Sequence, residues 1–85
     1  MRYTVYVLED ERGLLYKGMT TNLSRRLGEH RGGHTRTTSA MKNLVVVYTK
    51  EYDTSVEARK HELYLKSAAG RKFLKSKLLP LYLPE

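Results

Sequence analysis

Residues 2–8 alternate in character, with Tyr3, Val5 and Val7 on one side and Thr4, Tyr6 and Leu8 on the other. That is the period of a half-buried β-strand. The polar run Glu9-Asp10-Glu11-Arg12-Gly13 ends in glycine and has hairpin length. Residues 14–19 then form a second strand. Placing Leu8 opposite Leu14 sets Tyr6 opposite Tyr16, with both rings on one face, whereas a one-residue slip would separate them. Gly18 shares the face of Tyr16 and leaves a gap there, as glycine does where a ligand or another chain segment comes close.

The period changes at Leu23. Leu23, Arg26, Leu27 and His30 stand at i, i+3, i+4 and i+7, on one face of a helix. Thr21 or Asn22 caps this helix and Gly32-Gly33 ends it. The leucines turn that face to the core, where an unpaired polar group costs on the order of several kcal/mol. Arg26 and His30 therefore either snorkel to water at the stripe's edge or belong to a site. Thr20 and the amides at the helix start offer a further anion contact.

Residues 31–42 are loop-like, and their hydroxyls lie among Arg31, His34, Arg36 and Lys42, a mixture that suits phosphate oxygens as well as plain solvation. Residues 43–52 give a third strand, apolar on both faces from Leu44 to Val47 and so expected to be well buried. Thr54-Ser55-Val56-Glu57 is a capping box that opens a second helix. On it Ala58, Leu65 and Ala69 fall within about 40° of one another at 3.6 residues per turn, and Glu62 lies between them. A carboxylate in that stripe is either paired, with Arg26 or a nearby lysine, or a metal ligand. Gly70 is expected to break the helix, and Arg71 to Leu79 to form a short third one carrying Arg71, Lys72 and Lys75. Residues 78–85 are apolar and broken by proline; they pack back on the domain, join a larger protein partner or make a homodimer.

Composition narrows the partners. Eighty-five residues make one domain, 1–85, and the absence of cysteine excludes a disulfide framework or thiolate metal site. No leader is visible and the longest apolar run, Leu44 to Tyr48, is too short to span a bilayer, so a soluble cytoplasmic chain is expected. Sixteen Lys+Arg against nine Asp+Glu leave a net charge of +7, which favours a polyanion. Without a basic amphipathic helix bearing a bulky apolar face, that polyanion is nucleic acid rather than a membrane. His30, His34 and His61 do not have a paired-histidine zinc spacing.

In this order the elements resemble the GIY-YIG nuclease family, in particular its short stand-alone members and the N-terminal domain of the UvrC excision nuclease. Val5-Tyr6-Val7 stands at the first triplet and Tyr16-Lys17-Gly18 at the second. Leu27-Gly28-Glu29-His30 follows Arg26, and Glu57-Ala58-Arg59-Lys60-His61-Glu62 ends on the acidic residue. The similarity runs from residue 3 to about 75. Lys17 departs from the family's usual apolar middle residue, the first triplet lacks its glycine, and the asparagine that many longer members carry after the last helix is missing.

The resemblance implies an α+β fold, a small three-stranded antiparallel sheet flanked by helices. It further implies a metal-dependent endonuclease acting on DNA, in the setting of repair or recombination. By position Tyr6, Tyr16, Arg26 and His30 would be catalytic and Glu62 would hold a single Mg²⁺ or Mn²⁺ ion. Gly18, Thr20, Arg31, His34, Arg36, Lys42, Arg71, Lys72 and Lys75 would meet nucleic acid. The chemistry suits these residue types. A lone carboxylate with waters is how Mg²⁺ prefers to bind, arginine forks onto phosphate oxygens, and a phenol beside a metal and a guanidinium is easier to ionise. Spacing alone leaves Tyr6, Tyr16 and His30 equal candidates for the base. The competing readings are a nucleic-acid-binding module without cleavage and an interaction subunit of a larger nuclease.

Overall fold

The computed structural model describes residues 2–33, 38 and 40–78. Its elements are β1 (Tyr3–Glu9), β2 (Leu15–Thr20), α1 (Leu23–Arg31), β3 (Val45–Tyr52), α2 (Ser55–Lys66) and α3 (Ala68–Leu78). The three strands form one antiparallel sheet in the order β2-β1-β3. The architecture is α+β, as the pattern of apolar positions and the resemblance imply.

β1 lies in the middle, and its alternation sorts the protein into two layers. Val5 and Val7 pack with Ala58, Leu65 and Leu74 of α2 and α3. Tyr6 and Leu8 pack on the other face with Leu23 and Leu27 of α1 and with Leu44. All four residues from Val5 to Leu8 are at most 1% exposed. β3 is a sheet edge, unlike the doubly covered strand expected from its composition, and Val45 is half exposed. A slip in the pairing between Val7 and Leu8 turns Val47 and Tyr48 to the α2 side together, so a continuous apolar run serves an edge strand with an irregularity.

The hairpin register also departs from expectation. Leu8 faces Tyr16 and Tyr6 faces Gly18. The slip is two residues, which preserves parity, so Tyr6 and Tyr16 still share a face. Asp10 sets the turn. Its carboxylate accepts the Leu14 and Arg12 amides at 2.8 and 3.0 Å, and Gly13 turns back at φ +86°. Burial would raise the Asp10 pKa, but those amides and the Arg12 guanidinium outweigh it and hold it below 3.8. A depressed carboxyl stabilises the fold above its unfolded value and loses that contribution as pH falls through the folded one. Asp10→Ala is therefore expected to melt earlier than the parent at pH 7, with the gap closing as both are acidified below that range in thermal melts.

The caps follow the sequence closely. Asn22 accepts the Arg25 amide at 3.0 Å to open α1, and the chain leaves that helix at Gly33, φ +74°. Thr54 accepts the Glu57 amide at 3.2 Å and donates its hydroxyl to the Glu57 carboxylate at 2.9 Å. The break after α2 falls at Ser67, whose backbone is extended, and Gly70 lies inside α3. Gly70 is needed for space rather than to stop a helix: a Cβ there would fall on the Tyr64 carbonyl of α2. Among the described residues no helix is long and apolar enough to cross a membrane.

Candidate active site

The α1 side of the sheet carries a cluster built from three elements. β1 supplies Tyr6, β2 supplies Tyr16 and Gly18, and α1 supplies Arg26 and His30. The Tyr6 and Tyr16 rings are 6.2 Å apart, and the His30 ring meets them edge-on at 5.7 and 4.8 Å. Gly18 leaves the room for this, since a Cβ there would sit 2.7 Å from the Tyr6 hydroxyl and 3.1 Å from the Tyr16 ring. The gap expected at Gly18 is thus filled by the phenol of Tyr6.

A buried polar chain runs behind the cluster. The Tyr6 hydroxyl lies 2.8 Å from His30 Nε2, and His30 Nδ1 lies 2.8 Å from the Thr38 hydroxyl. All three residues are at most 1% exposed. His30 therefore does not snorkel, and its burial is satisfied on both ring nitrogens. Burial, and secondarily the Arg26 charge, lowers its pKa against a smaller opposing effect of Glu29, so the ring stays neutral at physiological pH. Burial also pushes the Tyr6 phenol up to about 12, although Arg26 pulls the other way.

Arg26 is half-buried beside Tyr6 and Tyr16. Its guanidinium donates to Glu29 at 2.8 Å, and Arg25 holds the other Glu29 oxygen at 2.7 Å. Hydrogen bonds to Glu29 and then Tyr6 raise the Arg26 pKa further, so it is a permanent cation. Its carboxylate partner is thus Glu29 on its own helix, not Glu62.

Glu62 stands elsewhere. It is 5% exposed and shares the sheet-facing stripe of α2 with Ala58 and Leu65, on the face opposite the tyrosines. Its oxygens accept from Arg59 at 2.9 Å and Lys66 at 3.1 Å. Those cations are 62% and 48% exposed and can swing away. Among the described residues no three His, Cys, Asp or Glu side chains gather as a metal cage. Glu62 does fit the other pattern, a single carboxylate whose remaining ligands are waters and substrate oxygens.

The residues expected to meet nucleic acid divide. Thr20 is buried and spends its hydroxyl on the Asn22 backbone, so it shapes the entry to α1. Arg31 donates to the Leu44 carbonyl at 2.9 Å and lines an open groove with Lys42. Arg71, Lys72 and Lys75 line a groove along α3, away from the tyrosines. His34, Arg36 and residues 79–85 of the apolar tail lie outside the described residues; Leu78 is buried at the end of α3. Thr38 and Glu29 escaped the sequence reading. Glu29 had a signal, its place three residues after Arg26; Thr38, inside a hydroxyl-rich loop, had none.

The chain matches the GIY-YIG catalytic domain across residues 2–75 and belongs to that family. Its similar relatives are UPF0213 proteins. It is 39% identical over 74 residues to the UPF0213 protein ORF82 of Orgyia pseudotsugata multicapsid polyhedrosis virus, covering 84% of this chain and 70% of that protein. It is 28% identical over 75 residues to the UPF0213 protein SSP2268 of Staphylococcus saprophyticus, covering 87% and 92%. The solution structure of the UPF0213 protein BH0048 from Bacillus halodurans aligns with a TM-score of 0.57 at 31% identity, covering 96% of this chain and 86% of that one.

Proposed function

We propose that this chain, acting as one domain, is a metal-dependent endonuclease that hydrolyses phosphodiester bonds in DNA. The observation that carries the reading is the clustering of Tyr16 and Arg26, both partly exposed, beside the buried Tyr6–His30–Thr38 chain. Arg26 binds the non-bridging phosphate oxygens, oriented by Glu29. Tyr6 cannot be the base, because it is sealed from water and its pKa is pushed up to about 12. Tyr16 is half-exposed on the same face and takes the proton of the attacking water. With His30 in its Nε2–H tautomer, Thr38 donates to His30 Nδ1 and His30 Nε2–H to the Tyr6 oxygen, a buried line that fixes the Tyr6 ring beside Tyr16. Glu62, on the helix that packs against β2, is the carboxylate that would hold a divalent ion, Mg²⁺ or Mn²⁺, and when bound that ion would polarise a phosphate oxygen and acidify a coordinated water.

The deciding assay is plasmid nicking with Mg²⁺ or Mn²⁺ against a chelator. Nucleic-acid binding without cleavage is the second reading, and the engagement of both Glu62 oxygens by Arg59 and Lys66 favours it. Retained DNA binding with no nicking in either metal would support it instead. The two tyrosines are expected to separate. Tyr16→Phe should lower the single-turnover rate by about 10² to 10⁴-fold without moving the melting temperature. Tyr6→Phe should cut the rate less and destabilise the fold by about 1–3 kcal/mol, since it strands a buried His30 nitrogen. Equal kinetic losses with equal melts would refute the division of roles.

A further inference from the structure

β2 is an edge strand, and its two faces carry different chemistry. Tyr16 and Gly18 look to α1, while Lys17, paired with Val7, looks to the α2–α3 layer. There Lys17 lines a groove of about 350 Å³ with Arg71 and Lys75, over Leu15, Leu74 and Leu78. A second groove of about 550 Å³ adjoins it and is lined by the same Arg71 and Lys75 with Lys72. Lys66, at the end of α2, is close enough to act on Lys17 through its charge.

Among the described residues no carboxylate forms an ion pair with Lys17, Arg71, Lys72 or Lys75. Glu9 is the single acidic residue lining the first groove. Burial, then the charges of Arg71 and Lys66, holds the Lys17 ammonium below its usual range. Crowding the half-buried Lys17 ammonium with like charges works against folding. An apolar side chain at position 17 would cover the partly exposed Leu15 without that cost. The arrangement makes sense where a polyanion neutralises it.

We propose that Lys17, Arg71 and Lys75, continued by Lys72, form a second phosphate track on the side of β2 opposite Tyr16, so that a nucleic-acid strand is gripped from both sides of this edge. Arg71 and Lys75 are one helical turn apart, about 6 Å along α3. They make a row, which suits the repeating charge of a phosphate backbone better than one compact anion. The inference rests on the nuclease reading for its substrate, but not on cleavage. It adds Lys17, the residue at which the second triplet departs from the family's usual pattern, to the binding surface, and gives that departure a purpose.

The test is binding of a fluorescein-labelled DNA duplex to the full chain in chelator, titrated with salt, beside thermal melts. Lys17→Met keeps the aliphatic stem and removes the charge. It should weaken binding and make the salt slope shallower by about 0.9, the value of one duplex phosphate contact, while the melting temperature rises or holds. Lys17→Gln should repeat the loss of slope, and Arg71→Gln with Lys75→Gln should deepen it. An unchanged slope in the Lys17 variants would overturn the proposal, leaving Lys17 a cover for apolar surface. So would polyglutamate competing for the groove in a Lys17-dependent manner while DNA binding ignores Lys17, since the groove would then serve an acidic protein segment. Absence of nicking with an intact slope change would refute the nuclease reading and leave the track standing.

Discussion

Glu62→Gln is expected to stop metal-dependent cleavage while leaving the fold almost untouched. The carboxylate is buried, but its partners Arg59 and Lys66 are 62% and 48% exposed and regain water when the charge goes. Pairs with such exposed members contribute about 0–1 kcal/mol, and the glutamine still offers an acceptor. Arg26 is not stranded either, because its partner is Glu29. Losing the anchor of the ion removes transition-state stabilisation worth several kcal/mol, and each 1.36 kcal/mol is about tenfold in rate. The expected fall is therefore roughly 10³-fold or more, read by nicking in Mg²⁺, with DNA affinity in chelator unchanged. A glutamine variant that melts much earlier and still cuts DNA would remove Glu62 from the active site.

Gly70→Ala is expected to be the most damaging single methyl in the protein. Helix propensity argues the other way, since alanine is about 1 kcal/mol better than glycine inside a helix. Here the added Cβ would fall on the Tyr64 carbonyl and crowd the Leu65 Cα, both backbone atoms of α2. Backbone cannot rotate aside as a side chain can, so α3 would have to lift from α2. Overpacking typically costs about 1–3 kcal/mol, occasionally more, and the upper end applies where two helix backbones meet. That is a large share of a net stability of about 0.05–0.15 kcal/mol per residue. Urea unfolding should show a lower midpoint at constant slope. An alanine variant more stable than the parent would show that the helices are not in close contact at this point.

Much of this architecture is legible along the chain because it is set by local period. The alternation of residues 3–8 separates Val5 and Val7 from Tyr6 and Leu8, and those sets become the two layers of the core. The spacing of Leu23, Arg26, Leu27 and His30 places an arginine and a histidine on one helical face whatever surrounds them. Asn22 and Thr54 start their helices because their side chains reach amides only three residues away. Even the shared face of Tyr6 and Tyr16 survives a misplaced register, since a slip of two keeps parity.

What tertiary structure alone decides is which groups meet across distance in sequence. The turn at Asp10 fixed the register, and the slip set Gly18 beneath the Tyr6 phenol. Strand order made β3 an edge despite its apolar run. Thr38 satisfies His30 from a loop whose composition carries no signal for it, and Gly70 is a point of helix contact rather than a stop. Glu62 found cations on its own helix, and Lys17 met Arg71 and Lys75 only because α3 folds back beside β2. Backbone period determines the direction in which a side chain points; what it finds there depends on the packing of segments tens of residues apart, which no local pattern encodes.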